Sequence, residues 1–290
     1  MQPTHATHTA TAADGASHEV IEVSSGAPRA ALVWLPALGV PARSYLPMAD
    51  AMARAGVSVA IHEWRGIGSS TVRASRDADW GYAELLAHDL PGTAAVAARR
   101  FRGLPVVWGG HSLGGQFATM QLALQPDLGR GLVLVGSGLP WWRAQRPHIA
   151  TALAGAQLLL PPLTSALGYL PGRRLGFGGR EARGVMADWL HCVRTGRYRV
   201  RGRDIDPEAA LSRLDLPALG LVLEADAFGP RSALEALLAK TAVVPTVRSL
   251  GEAQLGVSAD HFAWMRKPGA VAGLVVDWMD TLGRPGGRPS

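Results

Sequence analysis

The sequence predicts an α/β domain built on a mostly parallel central sheet with helices on both faces. Three observations carry this. Short apolar runs of strand length recur along the chain, among them "AALVWL" (Ala30 to Leu35) and "GLVLVGSG" (Gly131 to Gly138). They alternate with segments of helical length and pattern. The runs are continuous rather than alternately apolar and polar, as strands covered on both faces require.

The elements follow in order. "EVIEV" (Glu19 to Val23) is a short strand, and "AALVWL" is the first fully apolar one. "RSYLPMADAMARAG" (Arg43 to Gly56) is amphipathic and helical, closed by glycine. "VSVAIHEW" (Val57 to Trp64) is a strand. "GYAELLAHDLPGTAAVAARRF" (Gly81 to Phe101) is helical, with Pro91 expected to kink or break it because proline removes a backbone donor. "LPVVWGG" (Leu104 to Gly110) is a strand running into the helix "GGQFATMQLALQ" (Gly114 to Gln125). "GLVLVGSG" and "ALGLVLEA" (Ala218 to Ala225) are strands. The helix "PRSALEALLA" (Pro230 to Ala239), the strand "AVVPTVRSL" (Ala242 to Leu250) and the helix "AGLVVDWMDTL" (Ala272 to Leu282) complete the pattern.

Residues 18–139 and 213–283 read as two parts of one core domain. Between them, residues 140–212 break the alternation and are expected to form a helical cap over the strand ends. Met1 to Ser17, rich in Thr, Ala and His, reads as a disordered tail, and 284–290 as a second one. From His148 to Gly172 there is no Asp, Glu, Lys or Arg, a length able to span a bilayer. Pro161, Pro162 and Pro171 interrupt it, so a soluble apolar subdomain is expected and no membrane span.

A chain of 290 residues can bury one large core. Net charge is +6, nearly all of it from arginines scattered over the sequence, with Lys240 and Lys267 the lysines. Scatter rather than a basic stripe argues against nucleic-acid binding. The single cysteine, Cys192, forbids an intramolecular disulfide and a cysteine metal cluster, and is expected as a buried cap residue. No Lys, Arg or apolar run precedes Arg29, so no leader peptide is expected and the protein is assigned to the cytoplasm.

In such sheets ligands bind past the carboxyl ends of strands. Ser112, Asp226 and the turn at Pro36 all fall there. Gly110-His111-Ser112-Leu113-Gly114 fits G-x-S-x-G, a strand–turn–helix so tight that serine is strained and its hydroxyl stands above the sheet. A phosphate loop is the rival for a glycine-rich turn. It needs Lys-Ser/Thr or G-x-G-x-x-G here, and the sequence has Gly114-Gly115-Gln116.

A nucleophilic serine needs a base, and the base an orienting acid. Asp226 follows the strand "LGLVLEA"; Glu224 competes but falls within the strand pattern. His261 arrives on a loop before the last helix. Of the other histidines, His5, His8 and His18 sit near the start, His88 lies mid-helix, His148 and His191 belong to the cap, and His62 is placed to line the site. His111 is adjacent to the serine and is taken as a substrate contact. The oxyanion needs two backbone donors; the Leu113 N–H and the Leu38 N–H are the candidates.

Together these residues resemble the α/β-hydrolase superfamily, over roughly Val20 to Leu282. "LPALGVPARSYLPMADAMARAGVSVAIHEWRGIGSS" is similar to its oxyanion loop, first helix, strand and R-G-x-G-x-S turn. More narrowly, the chain resembles bacterial α/β-hydrolases of a serine aminopeptidase-like group. Those carry Pro-Ala-Met-Gly where this chain has Pro36-Ala37-Leu38-Gly39. They have Gly-His-x-x-Phe-Phe where this chain has Asp260-His261-Phe262-Ala263-Trp264. Asp260 beside the base is a departure that puts its pKa in question.

The resemblance implies a serine hydrolase with Ser112 as nucleophile, His261 as base, Asp226 as orienting acid, and neither metal nor organic cofactor. The expected partner is a small acyl substrate with an apolar group in a pocket lined by Trp141, Trp142, Leu158, Leu159 and Leu160. Acyl transfer to a non-water acceptor and a non-catalytic binding role are the alternatives. Aminopeptidase activity would need an acidic amine site, for which Glu63 and Asp260 are candidates.

Overall fold

The computed structural model describes residues 2–282. Among these residues are ten strands and eleven helices, seven of the strands being those the alternation predicts. Before the insertion these are β1 (Thr4–Thr11), β2 (Ser17–Ser24), β3 (Ala30–Leu35), α1 (Leu46–Arg54), β4 (Val57–His62), α2 (Tyr82–Glu84), α3 (Leu90–Arg100), β5 (Val106–His111), α4 (Leu113–Leu124) and β6 (Leu132–Val135). The insertion carries α5 (Pro147–Leu167), β7 (Tyr169–Pro171), α6 (Gly172–Leu175), β8 (Arg180–Ala182), α7 (Arg183–Thr195) and α8 (Pro207–Leu211). The chain then returns through β9 (Ala218–Leu223), α9 (Arg231–Leu238), β10 (Pro245–Leu250), α10 (Glu252–Leu255) and α11 (Gly269–Leu282).

Eight strands form one sheet in the order β1-β2-β4-β3-β5-β6-β9-β10. The pairs from β4 to β10 are parallel, and β1 and β2 join antiparallel at one edge. This is the α/β-hydrolase fold. Every residue of β3, β4, β6 and β9 is buried, because helices cover both faces and leave no wet side. One apolar cluster packs α3 and α4 on one face; a second packs α1 and α11 on the other.

Three expectations change. The amino-terminal residues are not a disordered tail: Thr4–Thr11 pairs with Ser17–Ser24 in continuous antiparallel register. Composition hid the strand, but β-branched Thr7, Thr9 and Thr11 alternate at its period. Contacts distant in sequence hold it: His5 bonds Asp50 at 2.7 Å, His8 bonds Glu22 at 2.6 Å, and Asp14 meets Arg65 at 2.8 Å. Pro91 lies at the start of α3, and the preceding turn, Leu85–Asp89, is a π-helix that accommodates the missing donor. Pro161 and Pro162 do not interrupt the insertion, since α5 runs through both as one 21-residue helix. By length and composition α5 could cross a membrane, and of its residues only Thr164 is buried. The expected tail 284–290 lies outside the described residues.

His62 also moves from its expected place. It is buried beneath the sheet edge, 2.8 Å from Thr93 Oγ1, and His18 reaches the same hydroxyl at 3.0 Å. Their rings meet edge to face at 4.6 Å. Burial, aided by the Arg65 charge, lowers the His18 pKa from 6.5 to about 4, and burial lowers His62 also. The unfolded chain therefore binds protons at these sites in a pH range where the folded chain does not. Stability is full above about pH 6.5 and is lost as pH falls toward about 4, with His18 alone contributing about 3 kcal/mol. Urea unfolding at about pH 7 and about pH 4.5 is expected to show this loss, and a His18→Leu variant is expected to lose less over the same interval.

Candidate active site

Ser112 links β5 to α4 with φ 54° and ψ −122°, and among the described residues it is the one non-glycine with positive φ. Glycines make this turn possible. A Cβ on Gly110 would overlap the backbone of Gly114 and Gly115; one on Gly114 would overlap the Leu35 and Pro36 carbonyls. The Ser112 N–H donates to Val135 O at 3.1 Å, and the Ser137 hydroxyl donates to Ser112 O at 2.7 Å. The turn is thus pinned to its neighbouring strand, and the serine side chain is left facing the cavity above the sheet.

Asp226 sits in the turn after β9 and is fully buried. Its Oδ1 accepts the Phe228 and Gly229 N–H groups at 2.7 and 2.9 Å, and its Oδ2 lies 2.7 Å from His261 Nδ1. That pairing leaves His261 Nε2 for the cavity, which Ser112 and His261 both border. No hydrogen bond joins their side chains in this structure, a looseness common before substrate binds. Gly136 (φ +50°) runs behind the pair; a Cβ there would lie 2.8 Å from Asp226 Oδ2 and 3.4 Å from His261 Nδ1. Glu224, the competing acid, is exposed.

The turn after β3 faces the start of α4. The Ala37 N–H donates to Tyr45 Oη at 2.9 Å and is engaged. The Leu38 and Leu113 N–H groups have no partner among the described residues, and both residues border the cavity. Glycines of the insertion press on this turn, since a Cβ on Gly39 would overlap Gly178 and Gly179. Behind the contact, Glu181 accepts the Gly179 N–H at 2.7 Å, and burial pushes its pKa up to about 7.

The cavity holds about 400 Å³ and is lined mainly by apolar side chains. The insertion supplies Leu153, Leu160, Phe177 and Trp189; the core supplies Phe228 and Phe262. The expected substrate contacts are elsewhere. His111 is fully buried under the site, its Nδ1 2.9 Å from Tyr45 Oη and its ring 4.6 Å from that of His261. Because Tyr45 Oη accepts from Ala37, its proton goes to His111 Nδ1. Burial, with His261 nearby, holds the His111 pKa well below 6.5, so it is a neutral support. Trp141 packs against Gly196, Trp142 is exposed beneath Arg143, and neither borders the cavity. Leu158 and Leu159 point outward, 77% and 68% exposed, while Leu160 does line the cavity.

Glu63 accepts the Ala42 N–H at 3.0 Å, and Asp260 Oδ1 accepts from Phe262 and Ala263 at 2.9 and 2.8 Å. Burial would raise the Asp260 pKa, but these N–H groups outweigh it and the net direction is down. Neither carboxylate borders the cavity. Cys192 is buried, and burial raises its thiol pKa. Residues that sequence reasoning missed are Tyr45, Gln116, Phe228 and Trp189. Gln116 carried a usable signal, a polar residue on an apolar helix one turn past the elbow.

Residues 26–173, just over half of the chain, match the family model described as serine aminopeptidase, S33. The chain belongs to this family of α/β-hydrolases. No curated protein matches this member at a significant level. Among solved structures it is similar to a hydrolase from Pseudomonas aeruginosa, with TM-score 0.60, 22% identity, and 94% of this chain and 98% of that one covered. It is also similar to a thermophilic esterase from Thermogutta terrifontis, with TM-score 0.60, 17% identity and coverage of 97% and 100%. A monoacylglycerol lipase from Paleococcus ferrophilus aligns with TM-score 0.57, 16% identity and coverage of 92% and 100%. At these identities the likeness is one of fold.

In this hydrolase the positive φ and crowding at Gly136 predict that Gly136→Ala costs about 1–3 kcal/mol and separates Asp226 from His261. Thermal unfolding and fluorophosphonate labelling are both expected to suffer. Gly155→Ala, in open space on α5, is expected to leave labelling as in the wild type.

Proposed function

We propose that the protein is a serine hydrolase of carboxylic esters with an apolar acyl or alkyl group. The observation that carries this reading is the buried Asp226–His261 pair opening onto the same apolar cavity as the strained Ser112. In the proposed reaction Ser112 Oγ attacks the acyl carbon while His261 Nε2 takes its proton. The oxyanion is held by the Leu38 and Leu113 N–H groups, and Asp226 stabilises the imidazolium. Collapse breaks the ester C–O bond, and His261 returns the proton to the leaving alcohol. Water then attacks the acyl-enzyme with His261 again as base, releasing the acid and restoring Ser112.

The lining supports an apolar ester over an aminopeptidase substrate. No carboxylate borders the cavity among the described residues, so a substrate ammonium group would enter without a counter-charge. Glu63 and Asp260 are engaged with backbone donors instead. The insertion serves in this reading as a cap that keeps bulk water from the acyl chain.

Fluorophosphonate treatment followed by intact-mass measurement is expected to give one adduct, mapped to Ser112 and missing from Ser112→Ala. Turnover in that variant is expected to fall by about 10⁶, the scale seen when such a nucleophile is removed. Across an ester chain-length series, kcat/KM is expected to rise beyond acetyl, because each buried methylene contributes about 0.8 kcal/mol. A folded wild type that takes no label and cleaves no ester would sink the reading.

A further inference from the structure

Five side chains bordering the cavity can hydrogen-bond through side-chain oxygen or nitrogen: Ser112, His261, Gln145, Gln116 and Trp189. Ser112 and His261 belong to the proposed chemistry. Gln145 is tied down, its Nε2 donating to Leu139 O at 3.3 Å and its Oε1 sealed from the cavity. Of the remaining two, Gln116 stands on α4, more than nine-tenths buried and one helical turn, about 5.4 Å along the axis, beyond Ser112.

Its orientation is set from behind. The Tyr198 hydroxyl is buried and donates to Gln116 Oε1 at 3.2 Å, the one partner it has among the described residues. A flipped amide would leave that buried O–H without an acceptor, which costs about 1–3 kcal/mol. Burial raises the Tyr198 pKa well above 10, so the phenol remains a donor. With the carbonyl oxygen held by Tyr198, the NH₂ end has no protein partner among the described residues, and it is not sealed away as Gln145 Oε1 is. A fixed amide donor thus faces an apolar cavity close to the serine.

We propose that Gln116 is a substrate-recognition residue, donating to an acceptor oxygen carried on the substrate's otherwise apolar chain near the scissile carbonyl. The preferred substrates are therefore hydroxy-, oxo- or alkoxy-substituted esters rather than plain alkyl alkanoates. The inference rests on the ester-hydrolase reading for its chemistry, but the recognition itself does not depend on turnover. A donor placed one turn from the nucleophile is left unpaired by a plain chain and satisfied by an oxygenated one. Discrimination follows from that difference.

The test uses three length-matched esters: a plain alkyl alkanoate, an analogue with one methylene near the carbonyl replaced by an ether oxygen on the acyl side, and one with the replacement on the alcohol side. Each ether-to-alkyl ratio of kcat/KM is compared between wild type and Gln116→Leu/Tyr198→Phe. Removing both polar partners together leaves no orphaned hydroxyl and protects folding. The ratio is expected to fall about three- to tenfold in the variant for one ether arm, identifying which side carries the oxygen. Ratios unchanged in both arms overturn the proposal. If the wild type cleaves none of the esters, the hydrolase reading fails separately. Calorimetric binding of the same esters to Ser112→Ala, with and without Gln116→Leu/Tyr198→Phe, then decides. A preference for an ether ester that the added changes abolish upholds recognition by Gln116, and equal affinities overturn it.

Discussion

The rest of the structure depends on one backbone constraint, the positive φ of Ser112. A β-carbon-bearing residue in this region costs roughly 1–3 kcal/mol and persists only where its surroundings over-determine it. Here they do. β5 and β3 run parallel through Gly110 and Leu35, and α4 leaves so steeply that Gly114 passes under the Leu35 and Pro36 carbonyls. Gly115 fits against the Ser137 side chain, whose hydroxyl in turn holds the Ser112 carbonyl. Strand spacing, helix approach and side-chain hydrogen bond all act on one residue. The strain is held by the sheet as a whole rather than by the turn.

The same economy governs the buried polar groups. Asp226 is removed from water, so its carboxyl oxygens have to be met by hydrogen bonds. The Phe228 and Gly229 amides and His261 supply them, and Gly136 leaves the room for the pair to approach. One layer below, Tyr45 joins the Ala37 amide to His111, whose ring packs on His261. The turn after β3 and the His261 imidazole therefore share a buried support of two side chains. By taking the Ala37 N–H, Tyr45 also leaves Leu38 as the free donor of that turn.

Local sterics and topology were legible in the sequence; assembly from distant segments was not. Ser112 could be read because G-x-S-x-G after an apolar strand satisfies a short-range geometric need. Asp226 and His261 could be read because strand ends on one edge of a parallel sheet have few places to go. The cavity wall could not, since its side chains come from segments between Ala37 and Phe262 that have no common period. Adjacency misled at His111, which the elbow turns downward into the core while Ser112 faces up. Composition misled at Thr4–Thr11, where edge pairing and hydrogen bonds from His5 to Asp50 and from His8 to Glu22 replace the apolar mass a strand normally shows. At Pro161 and Pro162 the rule against interior proline failed on a helix with little packed against it, where Thr164 Oγ1 bonds the Leu160 carbonyl at 2.9 Å.

Among the contacts between the insertion and the core, one lies against the turn after β3. Glycines 178 and 179 lie against Gly39, so closely that a Cβ on Gly39 would overlap the backbone of both. The turn that offers the Leu38 N–H is therefore positioned from above by the insertion as well as from below by Tyr45. Glu181 anchors the upper contact through the Gly179 amide, and its pKa near 7 means that its charge, unlike that of a surface carboxylate, changes around neutrality. The insertion also contributes α5 to the cavity wall, a helix that is held by few buried side chains and faces the cavity with Leu153 and Leu160.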